Sequence, residues 1–140
     1  MVIRAEVLAE RLAALREAVA RLRDVRARDL SDPALQWAAE RGLQVAAQAL
    51  FDVGNHVLAG AFALRASDYA QIPPLLAERG VIDREIEQRL RGLAGFRNLL
   101  VHDYAHVDAA RVRTLLDTRL DDFDAFAASV ERWATVPPTT

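Results

Sequence analysis

The residues whose types and spacing suit chemistry fall in two short segments, Phe51-Asp52-Val53-Gly54-Asn55-His56 and Phe96-Arg97-Asn98-Leu99-Leu100-Val101-His102-Asp103-Tyr104. In the second, Ile86, Leu90, Leu93, Arg97, Leu100 and Tyr104 recur at alternating steps of four and three, which puts Arg97 on the apolar stripe of a helix. A guanidinium stays ionised, and a core that strands it alone is strongly destabilised. Arg97 is therefore paired, faced by another subunit, or lining a cleft. Tyr104 lies almost in line with it, so a fixed cation and a phenol share one face near the helix end. His102, whose imidazole exchanges protons near neutral pH, lies about 140° round an ideal helix from Arg97. It joins them only if the helix loosens there or if the site takes groups from two chains.

In the first segment Asp52 and His56 are four residues apart on one helical face, where a carboxylate can orient an imidazole or hold it protonated. Gly54 lets another helix approach closely, at some cost in helix propensity. Each group also has a plainer reading. Arg97 can be a buried salt bridge to Asp52, Tyr104 a core phenol bonded to a backbone acceptor, and His102 an imidazole favoured by a helix C-terminus. His106 reads as an exposed loop residue. Arg11, Arg16, Arg21, Arg23, Arg26 and Arg28 read as solvated helix faces.

The elements that must position these groups are helical. Leu8, Leu12, Leu15, Val19 and Leu22 predict an amphipathic helix from about residue 3 to 27. Ser31, Asp32 and Pro33 combine a capping side chain with a proline suited to a first turn, and the helix they open runs to about Gly60. Residues 67–80 form a connector with a short helix ending at Gly80. A third long helix is expected from about Asp83 to Tyr104. A fourth starts at the cap Asp108 and follows Val112, Leu116, Phe123, Val130 and Trp133 to about residue 134. The expected architecture is all-α: an antiparallel up-and-down bundle of about four long helices and one short one.

Composition narrows the function. With 140 residues, 52% of them hydrophobic, the chain suits one domain over residues 1–136, followed by a frayed tail at 137–140. The absence of cysteine excludes thiolate zinc sites, cysteine nucleophiles and redox motifs. A net charge of −2 argues against wholesale polyanion binding but permits a local basic patch, and all 18 basic residues are arginine. No apolar run approaches the ~20 residues of a membrane span. Arg4, Glu6 and Glu10 interrupt the N-terminus, which is not a signal peptide, so a cytoplasmic location without membrane association is expected.

The stretch Arg97 to Tyr104, read as Arg, four residues, His, one residue, Tyr, resembles the signature of HEPN-domain proteins. Asp52-Val53-Gly54-Asn55-His56 and the ending Phe123 to Trp133 are similar to the HepT branch of that family, and the likeness spans residues 3–134. The resemblance implies a homodimeric ribonuclease, the toxin of a toxin-antitoxin pair whose partner is a small MNT-type nucleotidyltransferase. It implies RNA cleavage without metal or other cofactor, in a cleft where the Arg and His of two protomers meet. Arg97 would bind the scissile phosphate and His102 would act as general base or acid. Attack by the ribose 2′-hydroxyl would leave a cyclic phosphate. The resemblance further implies that the antitoxin transfers AMP to Tyr104, where a phosphodiester would compete with RNA for Arg97. Asp52, Asn55, His56 and Asn98 would support this site or an interface. HEPN-like domains also occur as non-catalytic RNA or nucleotide binders and as nucleotidyltransferase partners, which is the alternative function.

Overall fold

The computed structural model describes residues 3–103 and 107–135, and every regular element among them is helical. Helix α1 (Ala5–Arg26) buries Leu8, Leu12, Leu15, Val19 and Leu22, the stripe expected from their spacing. Helix α2 (Pro33–Phe62) begins where the Asp32 carboxylate accepts the Ala34 N–H at 2.9 Å, with Pro33 at its first position. It closes through Ala63 in the left-handed region (φ 55°), which lets the Leu64 N–H reach the Leu58 carbonyl at 3.0 Å. The two run antiparallel. Leu22 packs over Gly42 near one end of the pair and Ile3 packs near Gly60 at the other.

A 3₁₀ turn (Tyr69–Gln71), capped by Asp68, leads into α3 (Ile72–Glu78), then α4 (Arg84–Arg89), α5 (Leu93–His102), α6 (Ala109–Thr118) and α7 (Leu120–Thr135). Helix α2 is the centre, with α1, α3, α5, α6 and α7 packed around it. Its Leu50, Phe51, Val53 and Leu58 are fully buried, together with Leu116 and Phe126 from the last two helices. Helix α7 lies antiparallel along α1. Arg16 makes a two-pronged contact with Glu131 (3.0 and 3.1 Å), and Arg23 reaches Asp124 (2.6 Å) and Asp121 (2.8 Å). The hydrogen bonds to Glu131 and Asp124 hold both guanidiniums above their ordinary pKa. Such part-exposed pairs set register more than they stabilise.

Two of the expected long helices are divided. The span 83–104 breaks between α4 and α5, where Gly92 takes φ +86°, a conformation that only glycine adopts without a steric penalty. The break rotates the seam, so that Phe96 and Leu100 are buried on α5 while Leu93 is only half-buried. The span from Asp108 to residue 134 bends at Arg119, between α6 and α7. No glycine or proline lies there. The Thr114 and Thr118 hydroxyls instead bond back to the carbonyls of Ala110 (3.0 Å) and Thr114 (2.6 Å), a pairing that bends helices. The expected tail at 137–140 lies outside the described residues.

The close approach expected at Gly54 is made by α3. A Cβ built on Gly54 would collide with the Ile72 side chain and press on Leu76, both fully buried. Gly54→Val should destabilise the fold by about 1–3 kcal/mol through overpacking. Urea unfolding checks this, with a lower midpoint at an unchanged slope as the expected result. An unshifted midpoint would mean that α3 is free to move.

Candidate active site

Arg97 leaves α5 half-buried and points at α2, where its partner is a neutral amide. Its Nε and Nη2 both donate to the Gln48 Oε1, at 3.1 and 2.8 Å, and Nη1 donates to the Asn98 Oδ1 at 3.1 Å. The guanidinium carbon sits 5.0 Å from the centroid of the Tyr69 ring, and that ring stacks on Phe51 at 5.0 Å with an interplanar angle of 2°. Gln48 in turn donates through Nε2 to Asp52 Oδ1 (3.0 Å) and to the Tyr69 hydroxyl (3.2 Å). One amide thus ties α2, the 3₁₀ turn and α5 together around a single cation.

The arrangement differs from the salt bridge weighed for Arg97 and Asp52. Asp52 is one step removed, its oxygen bonded to the Gln48 amide, and among the described residues no carboxylate forms an ion pair with Arg97. The charge of Arg97 is therefore not cancelled by its anchor. A cation held by neutral acceptors and an aromatic face is restrained in position yet open to an incoming anion. A cavity of about 310 Å³ opens beside it, lined by Asn55, Asp68, Tyr69 and Asn98 among others.

His102 is the last residue of α5 and is exposed, and the helix continues unbroken through it from Arg97. The loosening that would swing His102 onto the Arg97 face does not occur. Within one chain the two side chains leave the helix on different sides. Tyr104 and His106 lie outside the described residues. Asn55 is exposed at the cavity, and Asp52 and His56 do not form the pair their spacing suggested: Asp52 is bonded to Gln48, and the buried Nε2 of His56 has no hydrogen-bond partner among the described residues.

Gln48 and Tyr69 are site residues that the sequence reading missed. Gln48 is one turn before Asp52 and two turns before Asn55, so a stripe of three uncharged or acidic polar groups at steps of four and three was present on α2. Tyr69, in a connector, carried no periodic signal.

The all-helical bundle presents from one helix an arginine with no carboxylate partner among the described residues and an exposed histidine, an arrangement in keeping with the resemblance to HEPN-domain proteins. Residues 8–130 match the family described as Ribonuclease HepT-like, and the chain belongs to that family. A curated relative, the mRNA nuclease HepT of Shewanella oneidensis, is 24% identical over 131 residues, covering 86% of this chain and 93% of the relative. Among solved structures, the tri-AMPylated Shewanella oneidensis HEPN toxin in complex with its MNT antitoxin superposes with a TM-score of 0.83 at 23% identity, over 92% of this chain and 99% of that one. The cytosolic protein of unknown function YutE from Bacillus subtilis gives 0.84 at 19% identity, over 98% and 99%. Among the described residues no helix is long and apolar enough to cross a membrane.

Proposed function

We propose that this protein is a metal-independent endoribonuclease, the toxin of a toxin-antitoxin pair that acts in the cytoplasm. The observation that carries the reading is the Arg97 anchor: a guanidinium fixed by Gln48, Asn98 and the Tyr69 ring, with its charge left for a phosphate. In this mechanism the ribose 2′-oxygen attacks the adjacent phosphorus while His102 takes its proton. The bond from phosphorus to the 5′-oxygen breaks, and a second His102, from a partner copy, protonates the leaving oxygen. Arg97 stabilises the extra negative charge that develops on the phosphoryl oxygens. The unbroken helix from Arg97 to His102 supports a site assembled by two chains in a homodimer, because one chain alone sends the two groups apart.

Regulation follows the same charge logic. A nucleotidyltransferase antitoxin would place AMP on Tyr104, and the new phosphodiester would occupy Arg97 in place of RNA. The antitoxin seen with the Shewanella toxin is the model for that partner. Asn98 supports Arg97 directly, Asp52 supports it through Gln48, and Asn55 borders the cavity beside it. His56, with a buried imidazole nitrogen that has no partner among the described residues, has no step in this scheme.

The test is cleavage of a defined RNA by purified protein in excess chelator, with end-group analysis of the fragments. Products ending in a 2′,3′-cyclic phosphate with a 5′-hydroxyl on the other fragment are expected. Products with a 3′-hydroxyl and a 5′-phosphate, or cleavage abolished by the chelator, would refute the mechanism. Salt-sensitive RNA binding with no scission would instead favour the non-catalytic module. Co-production with an MNT-type nucleotidyltransferase should add AMP mass to the peptide that contains Tyr104 and abolish cleavage; an unmodified tyrosine beside an active partner would remove this mode of regulation.

A further inference from the structure

A second cavity, of about 300 Å³, lies away from the Arg97 anchor, where the turn between α4 and α5 meets the bend between α6 and α7. Its apolar lining includes the buried Leu90, Phe96 and Phe123 and the half-buried Leu93 and Leu115. Four guanidiniums line it, from Arg89, Arg91, Arg111 and Arg119, against the single carboxylate of Asp122.

These four are not equivalent. Asp122 is nearly buried and is bonded to Arg89 and Arg119, each at 3.4 Å, while Arg89 also holds Glu85 at 2.8 Å. Those two arginines neutralise a buried acid and keep the bend between α6 and α7 closed onto α4. Arg91 is 72% exposed and reaches the buried Glu87 at 3.8 Å, a long contact that Arg84 makes at the same distance. Arg111 pairs with no carboxylate among the described residues; its guanidinium carbon lies 4.8 Å from the centroid of the Phe96 ring. The cleft therefore carries, above an apolar floor, one cation with no carboxylate partner among the described residues and a second, exposed one whose contact with its acid is long.

We infer that this cleft is a nucleotide-binding site, taking a phosphate on Arg91 and Arg111 and packing the sugar and base over Leu93 and Leu115. A bare inorganic anion leaves the apolar floor wet, and a neutral apolar ligand leaves the two cations unused. A nucleotide satisfies both, since guanidiniums bind phosphate oxygens through paired N–H groups and stack on bases. The volume stands at the lower end of small-molecule sites and holds one nucleotide unit. That unit is either a free mononucleotide or one residue of an RNA strand, and the chemistry of recognition is common to the two.

The experiment measures AMP binding by calorimetry, and binding of a labelled 2′-O-methyl oligoribonucleotide, which a 2′-hydroxyl mechanism cannot cut, by anisotropy. The wild-type protein is compared with an Arg91→Gln, Arg111→Gln double variant and with Arg97→Ala. Because Arg91 is one of two arginines against the buried Glu87, an Arg111→Gln single variant is measured beside the double one; Arg111 is exposed and holds no carboxylate among the described residues, so this variant should lose affinity with an unchanged unfolding midpoint. The expected result is a loss of affinity of about tenfold or more in the double variant, with amide shifts on ligand addition confined to α5, α6 and the turn at Gly92. Loss of AMP binding identifies a free nucleotide as the ligand. Loss restricted to the oligonucleotide, with the salt slope reduced by about 0.7 for each phosphate contact removed, identifies the strand. Affinities equal to wild type for both ligands, or loss only in Arg97→Ala, would overturn the inference while leaving the catalytic reading untouched.

Discussion

His102→Ala is expected to lower the rate of RNA cleavage by about 10²–10⁴-fold, the range lost when a positioned general acid or base is removed. The side chain is exposed at the end of α5, so the unfolding midpoint should not move. Arg97→Ala is expected to cost about 10²–10³-fold, the scale of one charge-stabilising donor. It also strips Gln48 of its cation, and a modest fall in stability should accompany it. In cells, expression of the wild-type chain alone should slow growth, and either substitution should relieve that arrest with the folded protein still present. Arrest that persists in both variants would remove Arg97 and His102 from the chemistry. Arg97→Lys should behave like the alanine variant, because a point ammonium cannot reproduce the contact in which Nε and Nη2 share one oxygen.

The parts of the fold that depend on local chemistry were readable before any coordinates. Asp32 before Pro33 is a cap followed by a residue that cannot use a helix-interior position, and α2 starts there. The leucines of α1 could face only a core. The two breaks were not readable, for different reasons. Gly92 costs a helix only about 1 kcal/mol, so its neighbours predict helix on both sides and only the packing of α5 on α2 selects the left-handed turn. At Arg119 the bend comes from threonine hydroxyls that are equally compatible with a straight helix seen from the outside.

The same division runs through the site. Arg97 was conspicuous because a permanent charge at a core-facing position contradicts its surroundings. Gln48 was silent because a glutamine on a helix is ordinary wherever water can reach it. Its role exists only across a separation of 49 residues, which the fold closes. The Asp52 and His56 spacing misled for the complementary reason: proximity on one helix allows a pair, and a better partner on the same face took the carboxylate.

Gln48 also supplies the sharpest test of why the anchor is neutral. Gln48→Glu keeps the shape of the side chain and the oxygen that accepts from Arg97, but it changes the charge in two places. The new carboxylate forms an ion pair with Arg97 and cancels the charge offered to phosphate. It also replaces the amide that donated to Asp52 at 3.0 Å, so two acidic oxygens face each other where a hydrogen bond had been. Cleavage should fall by about 10²-fold or more, comparable to removal of a charge-stabilising donor, and RNA affinity should fall with it. Gln48→Leu separates position from charge, because it removes the one oxygen that accepts both hydrogen bonds from Arg97 and adds no acid. Arg97 then keeps its full charge, held by Asn98 and the Tyr69 ring alone. Aromatic contact of this kind contributes about 0.5–1 kcal/mol at exposed sites, too little to fix a guanidinium, and misplacement by about 1 Å can cost about 10²-fold in rate. The leucine variant should therefore lose turnover while retaining most of its RNA affinity, whereas the glutamate variant loses both. Equal losses of affinity in the two would show that the amide serves only to hold α2 against α5. Wild-type activity in Gln48→Glu would mean that the charge of Arg97 is not what the phosphate meets.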